Sequence, residues 1–249
     1  MSVIPRPSAV DPVADALVGL AKRVPSAVVV DIGGGSGTRA VPLAVLGCTV
    51  LVVDSSIDAL AILRRRARDA GVAERITAIQ ADAVALSDVV PRGAADLVLC
   101  HHLLETVDDP AAAVAGIGAA LKNGGIASVL VAGRFAAVLA QAVAGRFGEA
   151  AVMLNSVDGR YGPQDPLRRR YDIAGLASLL AAGGLETESI SGLGVLSGLV
   201  AANQRTAGGR AGGQLDEAGL ADLEAALARH GRMREIAGDL HAIARMTAG

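Results

Sequence analysis

Asp31, Asp54 and His101 each stand directly after a run of apolar residues in this sequence. A carboxylate accepts hydrogen bonds from hydroxyl and ammonium groups, and a neutral imidazole can take a proton from a reacting group. Short apolar runs rich in β-branched residues are typical of buried strands, and open α/β sheets bind ligands at the carboxyl ends of their strands. The pattern therefore predicts that the three side chains face one ligand site.

A glycine-rich turn begins at Asp31, in the sequence DIGGGSG of residues 31–37. Glycine is needed where the backbone takes a positive φ or must touch a ligand. We expect a helix from about Thr38, and a helix N-terminus behind a glycine turn forms a cradle for a nucleotide-type ligand. The glycines expected to line that ligand are Gly33, Gly34 and Gly35.

The glycines alone fit two cofactors. Gly35, Gly37 and Ala40 satisfy the dinucleotide pattern G-x-G-x-x-A, which would make the protein a nicotinamide-dependent oxidoreductase. Asp31 favours a different cofactor, because a carboxylate repels a pyrophosphate but suits a ligand with an ammonium and a sulfonium. That ligand is S-adenosylmethionine, and the Asp-x-Gly-x-Gly-x-Gly pattern resembles the first motif of class I methyltransferases. A structural glycine turn in another α/β protein is the plain alternative.

Two further acidic residues are candidates for contacts with this cofactor. Asp54 ends the second expected strand, where doubly wound folds place an acid that binds ribose hydroxyls, and Ser55 lies beside it. The alternative for Asp54 is an N-cap of the next helix. Asp82 and Ala83 follow the third strand, and the resemblance implies that they meet the adenine amino group and a ring nitrogen, respectively. The alternative for Asp82 is a plain turn aspartate.

The segment CHHLLETVDDP, residues 100–110, resembles the one after the fourth strand of many class I methyltransferases, where it faces the cofactor methyl group and the substrate. We therefore assign His101 both as a cofactor contact and as the candidate catalytic residue. An ionised carboxylate acceptor needs no base, whereas a hydroxyl or amine acceptor needs one, and His101 is the best-placed candidate. The alternative for His102 or Glu105 is a surface position in the next turn.

Strand and helix patterns alternate along the chain, which argues for a parallel sheet. We expect an α/β, doubly wound, Rossmann-like class I methyltransferase fold, with seven mostly parallel strands and helices on both faces. The last two strands are placed at 185–190 and 195–202, as an antiparallel hairpin. We interpret 1–249 as a single methyltransferase domain, and its extra segments are a cap insert at 133–172, a flexible linker at 207–214 and C-terminal helices at 215–246.

All four aromatic residues of the chain lie between positions 135 and 171, inside the insert. The insert is also rich in arginine, although the formal net charge of the whole chain is −2. Aromatic faces and guanidinium groups together suit a planar anionic substrate, such as a nucleotide base with phosphates. The residues assigned to substrate contact are Tyr161, Arg168, Arg169, Arg170 and Tyr171. The alternative is a cap that uses its few large residues for a small core of its own.

A narrower resemblance is to a bacterial tRNA methyltransferase family that methylates the carboxylate of 5-carboxymethoxyuridine at the wobble position. It is carried by DIGGGSG, CHHLLETVDDP, AGRFAAVLAQAVAGRF, QDPLRRRYD and GDLHAIAR. The similarity implies that the arginines at 168–170 face the anticodon stem-loop of tRNA, and that S-adenosylmethionine is lined by Gly33, Gly34, Asp54, Ala83 and His101. A small metabolite is the alternative acceptor.

Composition limits the remaining classes. A net charge of −2 gives no global basic field for nucleic acid. The sequence contains no apolar run of about 18 residues, so we expect no membrane span. Cys48 and Cys100 lack metal-ligand spacing, so we expect free thiols in a cytoplasmic protein and no bound metal.

Overall fold

The computed structural model describes residues 11–197 and 217–247. They contain one sheet with the strand order β3-β2-β1-β4-β5-β7-β6. Strands β1 to β5 run parallel, and β7 runs antiparallel to both of its neighbours. The predicted doubly wound class I methyltransferase fold is thereby confirmed. The strands are β1 Val28–Ile32, β2 Thr49–Asp54, β3 Ile76–Gln80, β4 Ala95–His101, β5 Leu121–Ala132, β6 Leu185–Leu193 and β7 Asp239–Met246.

Helices connect the parallel strands and cover both faces of the sheet. Short 3₁₀ turns lie at Ala73–Arg75, Ala83–Ala85 and Met233–Ile236. The α-helices of the described ranges are α1 Pro12–Arg23, α2 Ala40–Val45, α3 Ile57–Asp69, α4 Leu86–Val89, α5 Pro110–Ala120, α6 Arg134–Val143, α7 Phe147–Asn155, α8 Ile173–Ala182 and α9 Glu217–Leu227.

The sheet is buried on both faces, which is why its strands read as nearly continuous apolar runs. On one face α1, α2 and α3 pack buried side chains such as Leu17, Leu43 and Leu63 against the sheet. On the other face α5 and α8 contribute Ile117 and Leu176. The sheet lies between these two helical layers, and alternate residues of each strand point to opposite layers. The carboxyl ends of the central strands therefore emerge between the layers.

Acidic and hydroxyl side chains fix where four of the described helices begin. Asp11 accepts hydrogen bonds from the backbone of the first turn of α1, and Ser56, Asp109 and Asp172 do so for α3, α5 and α8. Such caps satisfy backbone N–H groups that have no partner within the helix. They also fix where the connections from the strand ends enter the helices.

The expected C-terminal helices at 215–246 are wrong in their second half. Residues Glu217–Leu227 do form helix α9, but Asp239–Met246 is strand β7. The apolar spacing of Leu240 and Ile243 imitates one face of a helix. In the structure β7 lies between β5 and β6, with Leu240, Ala242, Ala244 and Met246 on one face and Asp239, His241, Ile243 and Arg245 on the other.

The expected antiparallel hairpin of 185–190 with 195–202 is also wrong, because β7 takes the place of its second strand. Strand β6 begins at Leu185 as predicted, but its antiparallel partner is β7. Residues 195–197 lie in a turn and the start of a helical segment rather than in a strand. Residues 198–202 and the predicted linker at 207–214 lie outside the described ranges.

The insert at 133–172 follows the carboxyl end of β5 and contains α6, α7 and an irregular segment up to α8. Its arginines hold it together. Arg170 forms two hydrogen bonds of 2.7 and 3.0 Å with the buried carboxylate of Asp165. Arg134 donates to the carbonyl oxygens of Leu154, at 2.8 Å, and Ser156. These contacts replace the hydrophobic core that so short a segment lacks.

Candidate functional site

A cavity of about 240 Å³ lies at the carboxyl ends of the central strands. This is slightly below the range of about 300–1,000 Å³ that pockets for drug-sized ligands occupy, so it suits one part of such a ligand. The cavity brings together five of the predicted cofactor residues: Gly33, Asp54, Ser55, Asp82 and Ala83. Its other lining residues are Val53, Ala81, Leu103, Thr106, Val107 and Asp108. The remaining predicted contacts lie beside or beneath it.

The glycine turn packs so tightly that side chains have no room at two positions. A Cβ atom on Gly34 would lie 2.4 Å from Oδ2 of Asp31, and one on Gly37 would lie 2.2 Å from Cδ1 of Leu63. Gly33 has a φ of 71°, a conformation that L side chains rarely adopt. The turn therefore needs glycine both to bring its backbone over Asp31 and to reverse the chain between β1 and α2.

Asp31 lies beneath this turn and is only 3% exposed. Burial raises the pKa of its carboxyl to about 7, the Arg39 guanidinium opposes that rise, and the Asp54 carboxylate adds to it. Among the described residues its Oδ2 atom has no hydrogen-bond partner. A buried carboxylate in this condition is suited to a cationic ligand, because an ammonium would stabilise its ionised form.

Asp54 connects the end of β2 to the glycine turn. Its Oδ2 accepts from the Gly35 amide at 2.9 Å, and its Oδ1 accepts from the Ser56 amide at 2.8 Å. Ser56, rather than Asp54, caps α3, so the N-cap alternative for Asp54 does not hold. A carboxylate has about four acceptor positions, so Asp54 can still receive ligand hydroxyls on the cavity side.

The third strand brings Asp82 and Ala83 to the far side of the cavity. Ala83 begins a short 3₁₀ turn, and Asp82 precedes it. On the near side, Leu103 packs against the glycine turn, with its Cδ1 atom 3.3 Å from where a Cβ on Gly33 would be. The cavity thus has backbone and polar groups along β2 and β3 and an apolar wall after β4.

His101 is part of a buried polar chain that crosses three strands. Its Nε2 atom lies 3.0 Å from Oγ of Ser128 on β5, and that oxygen lies 2.8 Å from Nε2 of His241 on β7. The two rings also meet edge to face, with centroids 5.9 Å apart. Burial lowers the pKa of His101 to about 3 and that of His241 to about 4, so both are neutral near pH 7. The sequence offered no signal that would link Ser128 and His241 to His101.

The alternative of a surface position holds for His102, whose side chain is 51% exposed, but not for Glu105. His102, which has a φ of 53°, places Nδ1 3.0 Å from Oε1 of Glu105. Glu105 is 1% exposed, and the same oxygen accepts from the Ala132 amide at 3.0 Å. The hydrogen bond to Glu105 raises the pKa of His102. This pair ties the segment after β4 to the end of β5, where the insert begins.

The predicted substrate residues are largely engaged within the chain. Tyr171 is 8% exposed, belongs to the core and donates to the carbonyl oxygen of Leu104 at 3.1 Å. Arg169 donates to carbonyl oxygens of the segment after β4, and Arg170 is held by Asp165. Tyr171 and Arg170 therefore serve the structure of the insert instead of facing a substrate, which corrects the sequence interpretation of both.

Two of the substrate candidates remain near solvent. Arg168 is 57% exposed and forms an ion pair with Asp108, which lines the cavity. Tyr161 is partly exposed, and its hydroxyl donates to the carbonyl oxygen of Gln164 at 3.1 Å. The rim of the cavity after β4 therefore meets the insert at Arg168.

Arg39 is a site residue that sequence reasoning missed. It precedes α2 and forms an ion pair with Asp11, the N-cap of α1. Its charge also acts on Asp31 and on His101. Arg39 therefore lies on the α1 side of the glycine turn and provides a positive group beside the buried carboxylate.

Residues 30–129 match the family model described as a methyltransferase domain. The ubiquinone biosynthesis O-methyltransferase of Burkholderia thailandensis is 36% identical over 103 residues, which are 41% of this chain and 43% of that protein. The matched part thus spans less than half of that relative.

Solved structures resemble the chain over nearly its whole length. One is a Burkholderia thailandensis 1,6-didemethyltoxoflavin N1-methyltransferase with bound S-adenosylhomocysteine, at 19% identity and a TM-score of 0.57, covering 97% of this chain and 79% of that one. Another is magnesium protoporphyrin IX methyltransferase from Synechocystis, at 13% identity and a TM-score of 0.60, covering 94% and 82%. Likeness at this identity concerns the fold.

The sheet order is that of the class I methyltransferase fold, and residues 30–129 match a methyltransferase domain, which indicates S-adenosylmethionine as the cofactor. The residues present fit that cofactor. The buried carboxylate of Asp31 lies under a glycine turn, beside a cavity of about the size of a nucleoside. Its Oδ2 atom has no hydrogen-bond partner within residues 11–197 and 217–247. Within the same ranges, no cluster of side chains suits a metal ion, and no helix is long and apolar enough to cross a membrane.

Proposed function

We propose that this protein transfers a methyl group from S-adenosylmethionine to a small-molecule acceptor. The observation that carries the proposal is the cavity at the carboxyl ends of β1 to β4, with the buried carboxylate of Asp31 beside it. The moderate size of the cavity and the insert packed over its rim support a small acceptor rather than a macromolecular one. The similarity to an O-methyltransferase and an N-methyltransferase of small molecules supports the same choice.

The cofactor residues divide by chemistry. Asp31 would hold the ammonium group, and Asp54 would accept hydrogen bonds from the ribose hydroxyls, with Ser55 beside it. Asp82 and the Ala83 amide would meet the adenine ring. Backbone groups of the glycine turn, from Gly33 to Gly35, would pass close to the methionyl part.

When bound, S-adenosylmethionine supplies a methyl group on a positively charged sulfur, which is already a good leaving group. The protein therefore acts mainly by placing the acceptor in line and by excluding water. Leu103 and Val107 give the cavity an apolar wall after β4, and His101 lies at the end of that strand. His101 is neutral at physiological pH, so it would make a hydrogen bond to a bound ligand without adding charge.

The test uses S-adenosylmethionine with an isotopically labelled methyl group, offered with a metabolite extract in one reaction and with bulk tRNA in another. We expect labelled small molecules in the first reaction and no labelled nucleosides in the second. Gly34→Ala should abolish labelling, because its Cβ would lie 2.4 Å from Oδ2 of Asp31. Gly148→Ala on α7 is the matched control, since no described atom lies within 4 Å of the place where its Cβ would be. Absence of label from both acceptor pools would reject the proposal.

Methylation of a wobble-uridine carboxylate in tRNA is the second candidate. Arg168 supports it, because this arginine is 57% exposed at the point where the insert meets the cavity rim. The engagement of Arg169 and Arg170 inside the chain weakens it, since only part of the predicted basic surface is available to RNA. An oxidoreductase function has no supporting observation in the fold or the matched domain.

The tRNA candidate is tested with Arg168→Ala and a tRNA-binding series at several salt concentrations. If RNA binds here, the variant should bind more weakly and with a smaller salt slope. Arg65→Ala is the matched control, because Arg65 is also exposed and also pairs with an exposed carboxylate, that of Asp69 on α3. Equal salt slopes for Arg168→Ala and wild type would exclude this surface.

A further inference from the structure

The chain from His101 through Ser128 to His241 has only one arrangement of protons that keeps Nδ1 of His101 free of a proton and also gives the Ser128 hydroxyl an acceptor within the chain. Ser128 is fully buried and His241 is 5% exposed. The Nδ1 atom of His101 is also buried, and no described residue provides it with a partner. Buried N–H groups without an acceptor are rare in folded proteins, so Nδ1 carries a lone pair rather than a proton.

The remaining protons follow from this first assignment. A neutral imidazole carries one proton, so the proton of His101 is on Nε2 and is donated to Oγ of Ser128, 3.0 Å away. The Ser128 hydroxyl then donates its own proton to Nε2 of His241, 2.8 Å away. His241 consequently carries its proton on Nδ1. Burial lowers the pKa values of both histidines, so both are neutral near pH 7 and each carries the single ring proton that this assignment assumes.

His101 and Asp31 face the same side of the sheet. Asp31 on β1 is in register with Leu99 on β4, and His101 is two residues further along that strand, on the same face. The positive charge of Arg39, which is paired with Asp11, lowers the pKa of both groups. In the part of the chain that the structure describes, neither Oδ2 of Asp31 nor Nδ1 of His101 has a hydrogen-bond donor.

We infer that Ser128 and His241 are positioning residues that hold His101 in the tautomer with its lone pair on Nδ1, so that His101 and Asp31 together accept hydrogen bonds from the ammonium group of the cofactor. This inference rests on the proposed function. An ammonium has three N–H donors in a compact group, enough for both acceptors at once.

The test compares two ligands, S-adenosylhomocysteine and methylthioadenosine, which share the nucleoside thioether but differ in the amino-acid part. Calorimetry gives the affinity ratio of the two ligands for each variant. Ser128→Ala should reduce this ratio about tenfold, because a misplaced acceptor loses a charge-assisted hydrogen bond only to the first ligand. Ser128→Thr should restore it. Cys48→Ala, which truncates another buried side chain, is the control and should leave the ratio unchanged.

Nitrogen NMR of the imidazole rings gives an independent readout without any ligand. In the wild type, Nδ1 of His101 should resonate as an unprotonated nitrogen and Nε2 as a protonated one. In His241→Phe the Ser128 hydroxyl loses its acceptor, so the two tautomers of His101 should become mixed. A protonated Nδ1 in the wild type would overturn the inference, whatever the variants do.

The outcomes separate this inference from the function on which it rests. If wild type binds neither ligand, the proposed function itself fails. If wild type binds both ligands and Ser128→Ala leaves their affinity ratio unchanged, the function stands and the positioning role of Ser128 and His241 is wrong. A selective loss of S-adenosylhomocysteine affinity, restored by Ser128→Thr, supports the inference.

Discussion

Asp31 is a buried acid whose ionisation depends on the ligand. Its pKa of about 7 means that the unliganded site is only partly ionised at neutral pH. His101 stays neutral over this range, because its pKa is about 3. A pH dependence of ligand binding between pH 6 and 8 therefore does not come from His101, and the groups to be distinguished are Asp31 and His102, whose pKa the hydrogen bond to Glu105 raises.

The affinity for S-adenosylmethionine should rise between pH 6 and pH 8. Protonation below pH 7 removes the charge that attracts the ammonium, so the dissociation constant at pH 6 should be about five to ten times that at pH 8. Asp31→Asn should bind weakly at both values and show no pH dependence. Calorimetric titrations at the two pH values measure this, and a steep dependence retained in Asp31→Asn would assign the effect to another group.

Asp31 should also reduce the stability of the ligand-free protein at high pH. Its folded pKa of about 7 lies above the ordinary value, so its contribution is most favourable below about pH 4 and is lost as the pH rises through 7. Asp31→Asn should therefore have a higher Tm than wild type at pH 8, by at least about 2 °C, and a smaller difference at pH 5. Thermal unfolding at both values checks the sign. If Asp31→Asn has a lower Tm than wild type at pH 8, the ionised carboxylate stabilises the folded protein, which is the opposite of the effect expected from its burial.

Asp54 is expected to act both on the glycine turn and on the cofactor. Asp54→Ala removes the acceptors for the Gly35 and Ser56 amides, at 2.9 and 2.8 Å, together with those proposed for the ribose hydroxyls. Affinity for S-adenosylmethionine should fall at least about tenfold by calorimetry. Asp58→Ala, an exposed acid in the first turn of α3, should leave the affinity unchanged. Equal losses in both variants would point to a general effect on α3.

At the scale of elements, the insert at 133–172 is held by ion pairs and hydrogen bonds more than by apolar contacts. Helix α6 has no fully buried side chain, and Phe147 at the start of α7 is 70% exposed. The ion pair between Arg170 and Asp165 is buried, in contrast, since the two side chains are only 10% and 0% exposed. Loss of one partner of such a pair leaves a buried charge uncompensated, which is strongly destabilising.

Arg170→Ala should therefore lower the free energy of unfolding by about 3 kcal/mol or more. Arg168→Ala provides the contrast, because its ion pair with Asp108 is exposed on both sides, at 57% and 85%, and should be worth about 0–1 kcal/mol. Urea unfolding of both variants measures the difference. Similar stabilities of the two variants would contradict the structural role assigned to Arg170.

The sequence was sufficient to predict which residues at the ends of β1, β2 and β3 meet at one cavity, and not the rest of its surroundings. The glycine turn, Asp54 and Asp82 are local features at strand ends, and the α/β alternation determines where those ends meet. Ser128 and His241 could not be found in this way, because 113 residues separate them and only the sheet order brings them together. The arginines of the insert were misassigned because a charge count does not reveal which guanidinium groups have internal partners.

At the scale of the whole molecule, the site lies where two independently packed layers meet at the ends of the strands. Helices α1 to α3 and helices α5 and α8 form separate apolar clusters on the two faces. Strand β7 contributes Leu240 to one of these clusters and, on its other face, His241 to the buried polar chain. The strand that closes the sheet therefore also completes the site.

A fragment of residues 1–236 should form larger assemblies than the full chain. Without β7, both β5 and β6 expose an unpaired edge, and open strand edges pair with other chains. Sedimentation of the fragment and the full chain at equal concentration measures this. A fragment that stays monomeric would show that other parts of the chain cover these edges.

The position of β7 also has a consequence for the order of events during synthesis. Strands β5 and β6 leave the ribosome well before Asp239–Met246, and the gap between them stays open until that segment has been made. The nascent protein thus passes through a stage with most of its sheet but without His241. The inferred orientation of His101 by Ser128 and His241 therefore becomes possible only after β7 has inserted between β5 and β6.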